Sequence, residues 1–134
     1  MSDLPKEEKP HIRVVAAEVI RDGHFLITQR KPGAVLPLMW EFPGGRVEGK
    51  ETDEVALARE LHEKVGIGCT VGGLSMHVAH EYDRYTLDLL VYRVHTDDTP
   101  QPIGVHEVRW VLPTDFDQYE FPGADQLTVD ALLG

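Results

Sequence analysis

The chain has 134 residues, which is enough for one domain with a buried core and too few for two. It contains no apolar run approaching the about 18 residues of a membrane span, and its charged start, MSDLPKEEKP, lacks the apolar core of a secretory signal. The formal net charge of −10 argues against binding to a nucleic-acid polymer, because that binding depends on Lys and Arg neutralising phosphates. The single cysteine, Cys69, excludes an internal disulfide framework and a cysteine zinc site.

These features predict one cytoplasmic domain over residues 11–134, preceded by a mobile tail at residues 1–10 and without a membrane partner. An anionic substrate remains compatible with the negative charge if cations neutralise its phosphates, because bare phosphates would be repelled. The cations either arrive with the substrate or are metal ions bound by carboxylates of the protein.

The first elements in chain order are two runs rich in β-forming residues, HIRVVAAEVI and FLITQR, on either side of Asp22-Gly23. An Asp-Gly pair at this place predicts a β-hairpin, because the second turn position needs the positive φ that glycine tolerates. Residues 31–38 contain two prolines and a glycine and are predicted to form a loop, which leads into a short strand at residues 39–42.

The stretch from Gly45 to Ile67 organises the rest of the chain. Pro43-Gly44-Gly45 interrupts regular structure, and glycines let backbone amides and carbonyls approach a ligand closely, although a tight turn is an equal alternative. Thr52 is the predicted N-cap of a helix of about fourteen residues, and Gly66 suits its C-terminal end. The residue types and their spacing suit the binding of divalent metal against a diphosphate.

A helical wheel at about 100° per residue places Val55, Ala58, Leu61 and Val65 on one side of this helix. Glu60, Glu63 and Lys64 gather on nearly the opposite side, so the charged face is predicted to be free. Glu60 and Glu63 repel one another at i, i+3 unless a cation lies between them, whereas the alternative is a solvated acidic face.

The remaining chain predicts further strands and one more helix. Residues 69–80 form one strand or two, broken near Gly72-Gly73, and residues 84–94 and 105–112 form two more, separated by a polar loop at 96–104. Asp88 lies among apolar residues in the second of these strands, where it either binds a polar edge of a ligand or faces outward. Residues 122–133 are predicted to form a final helix.

The central stretch resembles the Nudix box, the signature of hydrolases that split nucleoside diphosphates linked to a further group. The family pattern is G, five residues, E, seven residues, then R-E-aliphatic-x-E-E-x-G-aliphatic. Eight of its nine fixed positions are matched, by Gly45, Glu51, Arg59, Glu60, Leu61, Glu63, Gly66 and Ile67. The segments TQR at 28–30, WEFPGG at 40–45, RWV at 109–111 and FPGA at 121–124 resemble the MutT branch, which removes pyrophosphate from (d)NTPs.

The resemblance implies an α/β (α+β) Nudix fold, a mixed β-sheet between helices, and it assigns roles to individual residues. Gly44 offers a backbone carbonyl to Mg²⁺, for which Mn²⁺ is a possible substitute, and Glu60 and Glu63 supply carboxylate oxygens. Arg59 pairs with Glu51 and fixes the loop on the helix. Further expectations are an Arg30 contact to phosphate, a base pocket lined by Phe42 and a homodimer, which is common in the family.

The chemistry expected of such a site follows from charge. A triphosphate carries about four negative charges, so metal has to neutralise it and lower the pKa of a bound water. A carboxylate such as Glu60 then accepts the proton. Glu60, Glu63, Arg59 and Glu51 are therefore the expected catalytic group.

Lys64 is the one departure inside the box, because the family has a metal-binding glutamate at that position. Lysine four residues after Glu60 is placed to form an ion pair with it, and an ammonium repels a metal ion. Two outcomes follow. Either metal binds through Gly44, Glu60 and Glu63 with weaker affinity, or Lys64 replaces a cation and activity is low.

Two further positions differ from MutT proteins. The glutamate expected six residues before the tryptophan of the late strand is Gly104, so Glu107 or His106 would have to substitute for it. The asparagine that reads purines is Asp125, which accepts hydrogen bonds but donates none when ionised. Asp125 either binds a different base or caps the final helix.

The sequence thus predicts a Mg²⁺-dependent Nudix pyrophosphohydrolase that converts a nucleoside triphosphate, or a related nucleotide, to a nucleoside monophosphate and pyrophosphate. The alternative is a Nudix-fold nucleotide-binding module with little hydrolysis. Lys64 and Gly104 favour the module, whereas Glu51, Arg59, Glu60 and Glu63 favour the enzyme.

Overall fold

A computed structural model describes residues 9–124 and shows an α+β architecture, which confirms the predicted fold class. Among these residues, five strands precede the long α-helix and three follow it. In chain order the elements are β1 (His11–Glu18), β2 (Ile20–Arg21), β3 (His24–Gln29), β4 (Trp40–Glu41), β5 (Gly44–Arg46), α1 (Asp53–Val65), β6 (Thr70–Glu81), β7 (Thr86–His95), β8 (Glu107–Val111) and a 3₁₀ segment (Pro113–Gln118).

The first sheet is mixed, as expected, and has the strand order β5-β1-β7-β6. β1 and β7 run parallel with Val14 opposite Leu89, whereas β5 and β6 pair antiparallel with their neighbours. β5 carries Gly44 and Gly45 and lies at one edge of this sheet, so the glycines are held against β1 on one side.

The second sheet contains β2, β3, β4 and β8, and it confirms the predicted hairpin at Asp22-Gly23, although the first strand of that hairpin is short. The turn forms at Asp22 and Gly23, whose φ values are 49° and 77°. However, it joins β2 to β3, because the first run leaves its sheet after Glu18 and both sides of β1 are already paired with β5 and β7.

Helix α1 has the predicted ends. Thr52 accepts a hydrogen bond from the Val55 amide at 3.2 Å, which satisfies one of the unpaired N–H groups of the first turn. Gly66 adopts the left-handed conformation at φ 71° and ends the helix.

The buried side of α1 differs from the predicted stripe. Ala56, Leu57, Leu61 and Val65 are buried, whereas Val55 is 57% exposed. Glu60 is only 8% exposed, so the prediction that it lies on a free charged face is wrong. The helix packs against β5 as well as β1, and Glu60 fits over Gly45 because that residue has no side chain.

Two apolar clusters form the core, one on each face of the first sheet. Alternate residues of β1 divide between them, because Val15 and Ala17 belong to the cluster that contains the α1 residues and Ala16 belongs to the other. β7 divides in the same way, so Leu90 and Leu89 point to opposite faces.

The predicted break near Gly72-Gly73 is a distortion within one strand. β6 continues through twelve residues, and its register against β7 shifts between Val71 and Leu74 and again before Met76. The predicted final helix at 122–133 lies mostly outside the described residues, as does the tail at residues 1–8. Within residues 9–124 no helix is long and apolar enough to cross a membrane.

Candidate active site

Arg59 is the centre of a hydrogen-bond network that ties the loop before α1 to the helix. Its guanidinium donates to both carboxylate oxygens of Glu51, at 2.7 and 2.9 Å, so the predicted pair forms with two-pronged geometry. It also donates to the Arg46 carbonyl at 3.1 Å. The loop is therefore fixed at both its beginning and its end.

The same guanidinium reaches two carboxylates of α1. One nitrogen lies 3.0 Å from Glu60 Oε1 and 3.3 Å from Glu63 Oε2. Glu63 has a side chain that is 56% exposed, whereas that of Glu60 is 10% exposed. Arg59 thus supplies the cation that relieves repulsion between Glu60 and Glu63.

Within this network, the carboxyl group of Glu51 has a pKa far below its ordinary value. The hydrogen bond from Arg59, helped by the Glu48 backbone amide, lowers the pKa of Glu51 to about 2. A carboxyl with a pKa lower in the folded than in the unfolded state stabilises the fold above its unfolded pKa of about 4.3. That contribution is lost as the pH falls from there towards 2, because the unfolded chain binds the proton first.

We therefore expect Glu51→Gln to flatten the pH dependence of stability in this window. Wild-type unfolding free energy should fall more steeply than that of the variant between pH 5 and about 2. Urea unfolding at several pH values measures both slopes. Equal slopes for the two proteins would show that the Glu51–Arg59 pair does not hold the carboxylate in solution.

Glu60 lies against the glycine strand. A Cβ built on Gly45 would come within 2.1 Å of Glu60 Oε2, so no other residue fits there without displacing the carboxylate. A Cβ on Gly44 would meet the Val15 backbone carbonyl at 1.9 Å. A side chain at position 45 would therefore collide with the Glu60 side chain, whereas a side chain at position 44 would collide with the backbone of Val15.

Lys64 lies on the other side of Glu60. Its Nζ donates to the Gly44 carbonyl at 2.6 Å and lies 3.4 Å from Glu60 Oε2, so the predicted ion pair forms. Glu60 is consequently flanked by Arg59 on one oxygen and Lys64 on the other.

The family resemblance implies a divalent metal, and the Gly44 carbonyl is the backbone ligand that it assigns to this metal. Here that carbonyl accepts from an ammonium, which would repel a divalent ion. Among residues 9–124 no three His, Cys, Asp or Glu side chains are grouped so that they could hold a metal ion. The described arrangement therefore does not fit a divalent ion resident on Gly44, Glu60 and Glu63.

The two residues considered as substitute ligands, Glu107 and His106, belong to no group of three metal-ligating side chains among residues 9–124. Glu107 accepts from Arg109 at 3.0 Å, and the His106 amide donates to the Gln29 carbonyl at 2.8 Å. The amide of Gly104 donates to the Lys64 carbonyl at 2.8 Å, so the loop packs directly on the end of α1.

A cavity of about 500 Å³ opens beside Lys64, a size suited to a nucleotide. One part of its lining carries charge and another part is apolar and aromatic. The charged residues are Arg30, Arg46, Lys64 and Glu41, and the apolar and aromatic residues include Phe42, Tyr82, Tyr85, Leu87 and Leu89.

Arg30 and Phe42 both line this cavity, and their contact with a substrate stays a prediction. The Arg30 guanidinium donates to Glu41 at 3.2 Å and to the Val35 carbonyl at 2.5 Å. These hydrogen bonds hold it in the charged part of the cavity lining. Phe42 is 3% exposed and stacks on Phe121 with centroids 5.8 Å apart. It therefore forms a fixed wall and offers little surface.

Tyr82 and Tyr85 belong to the cavity without having been predicted. They lie at the β6–β7 connection, where the Tyr82 amide donates to the Tyr85 carbonyl at 2.8 Å, and their ring centroids are 4.8 Å apart. Two tyrosines around Asp83-Arg84, next to a long strand, are a weak sequence signal for an aromatic turn. Only the pairing of β6 with β7 brings that turn to the cavity.

Asp88 is not among the residues that line the cavity, and its role as a substrate-binding residue stays a prediction. Its β7 neighbours Leu87 and Leu89 face the cavity, so alternation turns Asp88 to the opposite face of the sheet. There it lies 2.7 Å from both His11 and His77, and the hydrogen bond from His77 lowers its pKa. The other predicted ligand contact, Asp125, lies outside the described residues.

Comparison with known proteins places this geometry in context. A family model described as NUDIX domain matches residues 15–131. The CTP pyrophosphohydrolase of Escherichia coli is 34% identical over 125 residues, covering 91% of each chain. The 8-oxo-dGTP diphosphatase of Haemophilus influenzae is 35% identical over 123 residues, covering 89% of this chain and 90% of that protein.

Solved structures agree on the fold. The solution structure of the E. coli ORF135 protein aligns with a TM-score of 0.83 at 33% identity, over 96% of this chain and 93% of that one. The crystal structure of a MutT protein from Methanosarcina mazei Go1 aligns with the same TM-score at 24% identity, over 92% and 94% of the two chains.

Proposed function

Because this chain belongs to the NUDIX domain family and is a MutT-like Nudix hydrolase, we propose that it hydrolyses a nucleoside triphosphate or a related nucleoside diphosphate derivative. The products would be a nucleoside monophosphate and pyrophosphate or its equivalent. Relatives named for CTP and for 8-oxo-dGTP make these two nucleotides the first substrates to test.

The division of the cavity is the observation that carries this proposal. Its charged part has three cationic side chains, Arg30, Arg46 and Lys64, against one carboxylate, Glu41. The lining is thus net positive in a chain whose formal charge is −10. Phosphates bind at such a place and a base packs on aromatic residues such as Tyr85, so the two parts match the two halves of a nucleotide.

Glu60 is the proposed general base. Water attacks the α- or the β-phosphorus, the bond from that phosphorus to the oxygen that bridges them breaks, and nucleoside monophosphate and pyrophosphate separate, while Glu60 accepts the proton of the water. Its carboxylate is held over Gly45 by Arg59 and Lys64, which lie on different oxygens. This fixed position removes part of the orientational cost of the reaction.

Arg59 and Glu51 are proposed as positioning residues that hold Glu60 and the loop. Glu63 is more exposed than Glu60, so it can meet a cation that arrives with the substrate. Mg²⁺ enters this proposal as part of the nucleotide complex, and Mn²⁺ is expected to replace it. Its role there is to neutralise phosphate charge.

Incubation of the purified chain with CTP, dCTP, dGTP, 8-oxo-dGTP, ATP and a nucleotide sugar in Mg²⁺ tests the proposal. Separation of products by ion-exchange chromatography distinguishes monophosphate plus pyrophosphate from diphosphate plus phosphate. We expect the first pair from at least one triphosphate. The Glu60→Gln variant, purified in the same way, controls for contaminating phosphatases.

Release of only phosphate, or no turnover of any of these compounds, would contradict the proposal. Nucleotide binding without turnover would instead favour the catalytically weak binding module, which Lys64 makes the second candidate. A homodimer and a cytoplasmic location stay predictions, which light scattering and cell fractionation can test.

A further inference from the structure

We propose that Lys64 is a built-in cation of the phosphate site, which takes the place of a divalent ion at Gly44 and Glu60 and binds substrate phosphate directly. This inference rests on the proposed function, because it assumes that the charged part of the cavity receives phosphates. It differs from that function in saying which cation belongs to the protein and which comes with the substrate.

The position of the ammonium group is the first step. Nζ lies 2.6 Å from the Gly44 carbonyl oxygen and 3.4 Å from Glu60 Oε2, so it bridges a backbone acceptor and a carboxylate. An ammonium carries three N–H donors, of which the Gly44 carbonyl uses one, whereas Glu60 contacts Nζ as an ion pair. Lys64 also lines the cavity, and its side chain is 28% exposed, so a remaining donor can reach a ligand oxygen.

The backbone around Lys64 fixes this position. Glu60 and Lys64 are one helical turn apart on the same side of α1. The amides of Gly104 and Ile103 donate to the Lys64 carbonyl at 2.8 and 3.2 Å. A Cβ on Gly104 would lie 3.1 Å from Lys64 Cα, so the bare glycine lets the loop close on the helix end.

The charge balance explains why a phosphate could bind here without a metal ion. The buried carboxylate of Glu60 has a guanidinium near one oxygen and an ammonium near the other. Arg30 and Arg46 add positive charge along the same lining. A divalent ion placed on the Gly44 carbonyl would lie next to Nζ and be repelled by it.

The protein should therefore bind the phosphate part of its substrate in the absence of divalent metal. Conversely, without nucleotide it should bind divalent metal poorly. Exchange of Lys64 for an acid should reverse both properties, because a carboxylate would then join Glu60 and the Gly44 carbonyl as a third oxygen ligand.

Calorimetric titration of the full chain with inorganic tripolyphosphate in excess EDTA tests the first property. We expect measurable binding by the wild type and at least about tenfold weaker binding by Lys64→Met, which keeps the length of the side chain and removes its charge. Lys50→Met removes a charge from the exposed loop and is the matched control, expected to bind as the wild type does. Equal affinity of wild type and Lys64→Met would overturn the proposal.

Titration with Mn²⁺ alone, followed by electron paramagnetic resonance, tests the second property. The wild type should bind Mn²⁺ at least about tenfold more weakly than Lys64→Glu. Tight Mn²⁺ binding by the wild type would overturn the proposal even if the variants failed to fold. Neither titration involves turnover, so failure here is distinct from failure of the product assay, which alone decides the proposed function.

Discussion

Glu60→Gln is expected to lower kcat by about 10²- to 10⁴-fold, the usual contribution of a positioned general base. Glutamine has nearly the same shape and keeps an oxygen for Arg59, but it cannot accept the proton of the attacking water. Glu60 is 8% exposed and its carboxylate lies 3.0 Å from Arg59, so bulk water has little access to take over its role as proton acceptor. Steady-state rates on the best triphosphate measure the loss.

Glu48→Gln is the matched control for this experiment. The side chain of Glu48 is 68% exposed and lies 3.6 Å from the same guanidinium, so its removal changes the same charge without touching the buried position. We expect it to keep near-native rates. If Glu60→Gln also turned over at near-native rates while remaining folded, Glu60 would have no part in proton transfer.

Alanine substitutions at Gly44 and Gly45 should have opposite main effects although the residues are adjacent. Gly44→Ala should lower the unfolding free energy by roughly 1–3 kcal/mol or more, because its Cβ would meet the rigid Val15 backbone between β5 and β1. Gly45→Ala should instead lower turnover by about 10²-fold, because its Cβ displaces the end of the Glu60 side chain, which can move.

Urea unfolding and steady-state kinetics on both variants separate these effects. Gly73→Ala is the control, because a Cβ there has no heavy atom within 4 Å and stability should change by about 0.5 kcal/mol at most. A Gly45→Ala protein with wild-type activity would mean that Glu60 is not held against the glycine strand. Wild-type stability in Gly44→Ala would contradict the tight β1–β5 contact.

Local sequence signals predicted both ends of α1. Thr52 and Gly66 have the side-chain and backbone properties that caps require, and both act within a few residues of their own position. The Glu51–Arg59 pair was also predictable, but only through the family resemblance, because eight residues of loop and helix separate the partners.

Long-range geometry was not predictable in the same way. The wheel treated α1 as packed on one side only, whereas β5 covers a second side and buries Glu60. The sequence left open whether Asp88 binds a polar edge of a ligand or faces outward, because its orientation depends on which face of the first sheet meets the cavity. Tyr82 and Tyr85 enter the site only because β6 pairs with β7.

The sequence by itself determined the family, the residue types of the box and the substitution of lysine at position 64, because these depend on identity and spacing along one chain. It left open whether Lys64 accompanies a metal ion or replaces one. The tertiary structure decided where its ammonium group lies, 2.6 Å from the Gly44 carbonyl, because only the packing of α1 on β5 brings residues twenty positions apart into contact.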